Sequence, residues 1–391
     1  MQRKKILWLC SWYPSKLSPR NGDFIKRHAE AASIFDDIQV IHIVRDVVGI
    51  ITKEVFIEEF EGNGLQETII YYYSPSFRVS LVDKYLSELK NRRLYRNAIA
   101  GYIKKYGVPV LSHVHVGMKA GTIARWLKKK KGVPYLISEH WSGYLTEAEE
   151  KISDEPFYLR YLWKKVVTGA NDLSAVSAYL ADAIKRQYGV KQVHVIPNVV
   201  DTSVFFPAPT VSNELRFIHV SDLKGLKNQK SIIKAFAILI RKYPFAILDI
   251  FGPDDRYLKD FTAELQVEKN INFHSEISQT ELAGFVRKSV ALILYSNFET
   301  FGCVIIEAHA SGIPVVVSDI PVFHETVTEG INGLFVKLSN PELLAERMIE
   351  IIHSRASFNS KLIADSSLKY SYEKVGKQFS DWYEEVLSKE N

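Results

Sequence analysis

The sequence predicts an α/β protein of two doubly wound parallel sheets, and three observations carry that expectation. Apolar runs of strand length recur along the chain and alternate with helical patterns, as they do in parallel sheets buried on both faces. The alternation breaks once, in IPNVVDTSVFFPAPTVSNE, where three prolines and few helix signals mark a hinge around 198–212, and then it restarts. A length of 391 residues holds about two to three domains, which leaves room for two large cores.

Taken in order, the first half opens with RKKILWLCS, whose apolar run predicts a strand over 6–11. The basic residues before it suggest a signal peptide. The run is too short for that, however, ends in Trp-Tyr-Pro and has no small-residue cleavage site. The loop WYPSKLSPRNGDF leads into a helix over 24–35. Strands are expected over 39–44, 68–73, 109–116, 134–139, 173–177 and 193–197, with the clearest helices over 81–106 and 117–130. The second half repeats the rhythm, with strands over 216–221, 245–251, 271–274, 290–295, 314–318 and 334–336. Its helices include 229–242, 280–288 and 302–311, and a final amphipathic helix over 372–389 carries Phe379, Trp382 and Tyr383.

Composition narrows the function classes. An apolar content of 47% with 24% charged residues is ordinary for a soluble globular protein, and no stretch approaches the roughly 18 apolar residues a spanning helix needs. The expected location is therefore the cytoplasm. Two cysteines far apart, Cys10 and Cys303, exclude a disulfide framework and read as core thiols in a reducing compartment. The net charge of +5 is mild, and no nucleic-acid motif accompanies it. The basic run Lys128–Lys131 closes a helix, where cations complement the dipole; its other reading is peripheral contact with the inner face of a membrane.

The stretch with the most chemistry is ALILYSNFETFGCVIIEAHASGIPVVVS, residues 291–318. It reads as strand, polar loop, helix and strand, and ligands of such sheets sit beyond the strand ends where a helix offers free N–H groups. Gly302 lets the backbone come close to a phosphate there. Glu299 falls in the loop and Glu307 falls eight residues later, about 12 Å along a helix. A diphosphate between them would leave one carboxylate for a sugar and the other for a ribose, since a carboxylate holds vicinal hydroxyls well. The plainer reading makes both surface helix glutamates.

With SNFETFG ahead of it and SGIPVVVSD behind it, this pair resembles the E-x7-E signature of retaining GT-B glycosyltransferases, in particular glycosyltransferase family 4, and the resemblance covers nearly the whole chain. It implies a GT-B fold: an acceptor-side domain over 1–198, a nucleotide-sugar domain over 199–371, and a last helix, 372–391, packing back on the first domain across a cleft. It implies a hexosyltransferase-type enzyme, retaining and metal-independent. The donor would be a nucleotide-diphosphate sugar, the acceptor a glycan or lipid-linked molecule of surface polysaccharide or lipopolysaccharide synthesis, and no cofactor would be needed.

The resemblance also assigns residues. Glu299 would grip the transferred sugar and Glu307 the ribose. Lys227, Thr300, Phe301, Gly302 and Cys303 would surround the diphosphate, Gly22 would bring backbone to the donor or acceptor, and His140 would stand near the moving sugar. Asn198 would line the cleft, Gly252 would turn the chain near the nucleotide, and 274–277 would receive the base. One departure stands out. Val220-Ser221-Asp222-Leu223 replaces V-G-R-L, so Asp222 occupies the place of a phosphate-binding arginine, for which Lys224 or another nearby cation would have to substitute.

No D-x-D metal motif stands at a strand end, since Asp254-Asp255 lacks the spacing, and His113 and His115, without a third ligand, read as structural. Two other functions remain open on sequence: a nucleotide-sugar epimerase of the same architecture, and a non-catalytic nucleotide-sugar-binding protein.

Overall fold

A computed structural model describes residues 3–74, 80–208, 214–223 and 225–390. The chain divides into two compact units, Met1–Asn198 with Tyr372–Asn391, and Val199–Ser371.

The first unit runs β1 (Lys5–Cys10), α1 (Asp23–Ala32), β2 (Asp37–Asp46), β3 (Val55–Gly62), β4 (Leu65–Tyr73), α2 (Ser80–Tyr106), β5 (Leu111–His115), α3 (Lys119–Lys131), β6 (Tyr135–Glu139), α4 (Phe157–Val167), β7 (Asp172–Ala175), α5 (Ala178–Tyr188) and β8 (His194–Val195). Its eight-stranded sheet has the order β3-β4-β2-β1-β5-β6-β7-β8. All pairings are parallel except β3 with β4. Central strands β1 and β5 are buried along almost their whole length, which explains the apolar run of β1, while β5 buries Ser112, His113 and His115 as well.

The second unit runs β9 (Arg216–Val220), α6 (Gln229–Lys242), β10 (Ile247–Phe251), α7 (Arg256–Glu264), β11 (Ile271–His274), α8 (Gln279–Lys288), β12 (Ala291–Leu294), α9 (Cys303–Ala310), β13 (Val315–Ser318), β14 (Gly333–Val336), α10 (Pro341–His353) and α11 (Ser360–Ser367). Its six parallel strands are ordered β11-β10-β9-β12-β13-β14, the doubly wound arrangement in which order reverses between β9 and β12. Phe217, Phe236, Leu248, Ile293 and Val316 lie in one core sealed by α6 and α10.

The last helix, α12 (Tyr372–Glu390), belongs to the first unit and packs on α1. Gly376 makes this possible, because a Cβ there would collide with the Ala31 carbonyl. The aromatic face foreseen in the sequence is its buried side: Phe379, Trp382 and Tyr383 are at most 3% exposed. Both sheets and the α/β class follow the sequence expectation. Periodicity does not single out β3, an exposed edge strand that alternates Val55, Ile57 and Glu59 with Phe56, Glu58 and Phe60, so neither face reads as core. Part of the expected hinge, 209–212, lies outside the described residues. Among the described residues no helix is long and apolar enough to cross a membrane.

Candidate functional site

In the second unit the strand order reverses between β9 and β12, and the loops leaving those two strands are tied together. Asn297 N–H donates to the Leu226 carbonyl at 2.8 Å. Asn228, left-handed at φ 51°, donates from Nδ2 to the Tyr295 carbonyl at 3.1 Å and to Asn297 Oδ1 at 2.6 Å. These bonds bring Lys227 and Glu299 into direct contact, with the ammonium donating to Glu299 Oε1, which also accepts from Ser296 Oγ at 2.8 Å. Burial pulls the Lys227 ammonium down, but the Glu299 charge and hydrogen bond outweigh it, so its pKa stands above the usual lysine value. The lysine is therefore charged across the physiological range, although only 17% of its side chain is exposed.

The helix that follows starts without a side-chain cap. Gly302 is left-handed at φ 90°, and a Cβ there would meet Phe323 at 3.0 Å and Ile305 at 3.1 Å, so the corner demands glycine on conformation and on space. Ile305 N–H closes on the Gly302 carbonyl at 3.0 Å. The α9 start thus combines a helix dipole with a neighbouring ammonium, which is chemistry for an anion.

The other expected residues divide. Glu307 lies on α9 and is 4% exposed, so it is not a surface glutamate. Phe301 is also buried, its ring edge-on to Tyr370 at 5.7 Å, so its side chain belongs to the core while its backbone forms the corner. Thr300 and Cys303 are half-exposed. That corrects the expectation of a core thiol at Cys303: it sits in the first turn of α9, near enough to Lys227 to act on its charge, whereas Cys10 is buried and its thiol is pushed up chiefly by that burial. Gly252 packs on the β9 loop, where a Cβ would lie 2.6 Å from the Ser221 carbonyl oxygen. Asp222 is near enough to Lys227 to reinforce its charge, and Lys224 lies outside the described residues. Asp255 caps α7 by accepting from Leu258 N–H at 3.0 Å, and Asp254 pairs with Lys259, so both acids of the failed D-x-D have local partners.

Sequence reasoning missed Asp249. It is fully buried on β10 and accepts from Arg216, from Asn272 Nδ2 at 3.0 Å and from His274 Nε2 at 2.7 Å. These bonds hold the His274 ring flat against Phe251, with centroids 4.4 Å apart and planes 11° apart. A charged residue inside the apolar run AILDIF was the available signal.

The first unit holds the remaining candidates. Gly22 caps α1 at φ 76°, and its absent Cβ would lie 2.8 Å from the Trp12 carbonyl carbon, so the β1 loop folds against itself only with glycine there. Asn198 is 5% exposed. Val116, the residue after β5, is left-handed at φ 62°, a strained conformation for a β-branched residue. It is locked by its N–H to the Ser138 carbonyl at 3.0 Å and by Ser11 Oγ to its own carbonyl at 2.7 Å. His140 is 5% exposed, with Nε2 3.3 Å from His115 Nδ1 and its ring 4.8 Å from Phe24. Next to it Glu139 is buried, which pushes its carboxyl up to about 7 against the hydrogen bonds from Gly117 N–H at 2.8 Å and Tyr144 Oη at 3.0 Å. His115, expected to lack a third ligand, has both His140 and His28 close by. The sequence could not show this, because the three histidines come from separate stretches.

Comparison with known proteins agrees with this architecture. The family described as Glycosyl transferases group 1 matches residues 202–366, and Glycosyltransferase Family 4 matches residues 58–204. The O-antigen chain mannosyltransferase RfbU of Salmonella typhimurium is 34% identical over 177 residues, 44% of this chain and 49% of that protein, so the match spans about half the relative's length. Sucrose-phosphate synthase of Thermosynechococcus elongatus superposes with a TM-score of 0.75 at 16% identity, covering 99% of this chain and 100% of that one. Anabaena HepE, solved with UDP and glucose, gives 0.69 at 16% identity over 98% and 100%. Two adjoining family matches and a shared doubly wound fold place the chain in the GT-B glycosyltransferases of family 4 type.

Proposed function

We propose that the chain transfers a sugar from a nucleotide-diphosphate sugar to a glycan or lipid-linked acceptor, with retention at the anomeric carbon and with no metal at the diphosphate. The observation that carries this reading is the Lys227–Glu299 pair, held at the strand-order reversal in front of the uncapped start of α9. Such a reversal is where doubly wound sheets take their ligands. Lys227 and the N–H groups at Gly302 and Cys303 receive the diphosphate, Glu307 takes the ribose hydroxyls, and Glu299 takes hydroxyls of the sugar. The acceptor oxygen bonds to the anomeric carbon as the bond to the diphosphate oxygen breaks on the same face. The electron pair leaves with the diphosphate, which also receives the acceptor's proton. Stabilisation is electrostatic, by donors fixed before the charge develops.

Relatives lend support to the substrate class: one is named for mannosyl transfer in O-antigen chains, and HepE was solved with UDP and glucose. Nothing in the geometry favours an epimerase. The test is to incubate the protein with candidate nucleotide-sugars and a lipid-linked acceptor mixture, then read product and anomeric configuration by NMR. An α-linked donor giving an α-glycoside supports the proposal. An epimerised donor or an inverted product refutes it.

A further inference from the structure

We infer that His28, His115 and His140 form a binding site for one divalent transition-metal ion of the zinc class, inside the first unit. They come from three elements: His28 from α1, His115 from the end of β5, and His140 from the residue after β6. One ring nitrogen from each lies within 4.8 Å of the other two. His115 Nδ1 and His140 Nε2 are 3.3 Å apart. A tetrahedral ion with metal–nitrogen bonds of about 2.0–2.1 Å needs ligand atoms about 3.3–3.4 Å apart.

The cluster's hydrogen bonding is incomplete, and on His28 the unpartnered nitrogen is the one left free to ligate. His28 Nδ1 is buried without a hydrogen-bond partner among the described residues, and so are His115 Nε2 and His140 Nδ1, the ring nitrogens opposite the pair that meet at 3.3 Å. Protein interiors rarely tolerate three such atoms in one place. His28 Nε2 lies 3.0 Å from the Pro197 carbonyl, a contact that requires the proton on Nε2 and leaves the Nδ1 lone pair free. Metal-bound histidines are oriented this way, with the second ring nitrogen donating to a carbonyl.

Neighbouring His113 is the internal contrast. Its Nδ1 meets Tyr383 Oη and its Nε2 meets Ser138 Oγ, both at 2.8 Å, so its ring is fully used in structure. The walls are apolar and aromatic: Trp8 stacks on His115 at 4.0 Å, Phe379 stands 5.1 Å from His28, and Phe24 lies 4.8 Å from His140. Burial keeps all three imidazoles neutral, pulling His28 down to about 3 and the other two well below the usual histidine value. The neutral ring is the form that ligates.

The experiment uses tag-free, full-length protein stripped with chelator and titrated with Co²⁺ as a visible probe, with Zn²⁺ as competitor. The expected result is a saturable ligand-field band of tetrahedral intensity at one Co²⁺ per chain, displaced by Zn²⁺, together with a higher melting temperature in Zn²⁺. H28Q and H115Q should each lower the affinity for Co²⁺ at least tenfold, while H113Q should keep it. Wild-type protein that shows only the hydrated-ion spectrum overturns the inference, whatever the variants do. So does a band that survives in H28Q and H115Q alike. Sugar transfer is not read, so the outcome is independent of the donor-site proposal.

Discussion

Each sheet has a point where strand order reverses, between β9 and β12 in the second unit and between β1 and β5 in the first, and the two points are furnished differently. The second unit sets an ammonium against a carboxylate at the mouth of a helix, and Lys227 gains charge stability from Glu299. The first unit sets stacked imidazoles among Trp8, Phe24 and Phe379, and burial strips them of charge. One topology thus carries a charged pair at a helix mouth in one unit and a buried, neutral cluster in the other. Topology chooses where a ligand can go, and the side chains choose its charge.

The comparison breaks most visibly at Glu299. Glu299→Gln keeps the shape and removes the charge, and turnover should fall by about 10²–10³-fold, as when one preorganised group facing the reacting centre is lost. Steady-state kinetics that leave the rate intact would remove Glu299 from the chemistry. Next comes the backbone of the first unit. Gly22→Ala should cost about 2–3 kcal/mol, because it adds a collision with Trp12 to the left-handed strain, whereas Gly132→Ala, at φ 72° in open space, should cost only about 1 kcal/mol. Equal shifts in denaturant midpoint for the two would show that the Trp12 contact does not constrain the loop.

Glu307→Ala should weaken nucleoside diphosphate binding by about 1–3 kcal/mol through lost charged hydrogen bonds, and calorimetry reads this directly. Unchanged affinity would take Glu307 out of the site.

The smallest effect concerns pH. His194 is raised above its usual 6.5, first by its hydrogen bond to Asp172, at 2.9 Å, and then by that carboxylate's charge. A raised histidine contributes stability that is complete below the unfolded value and is lost as pH rises through the folded one. The melting-temperature gap between wild type and His194→Gln should therefore be larger at pH 6 than at pH 9, and a gap that does not narrow contradicts the pairing.

Much of this was legible in the sequence, for physical reasons. Strands such as β1 and β12 are buried on both faces and so appear as unbroken apolar runs, and Gly302 between Glu299 and Glu307 announced a helix corner with carboxylates on either side. What stayed hidden depends on distant residues meeting. The Lys227–Glu299 contact joins positions far apart in sequence, Asp249 looks like a stray charge until Arg216, Asn272 and His274 gather on it, and His28 carries no local pattern at all. β3 was hidden for the opposite reason, since a strand exposed on both faces has no core face to show.

The most direct test is a crystal structure with a bound nucleoside diphosphate, UDP and GDP being the first to try. The expected result is the diphosphate against the backbone N–H groups of Gly302 and Cys303, with the Lys227 ammonium on a phosphate oxygen and Glu307 on the ribose. A diphosphate bound elsewhere, with Lys227 still turned wholly to Glu299, would contradict the donor site described above.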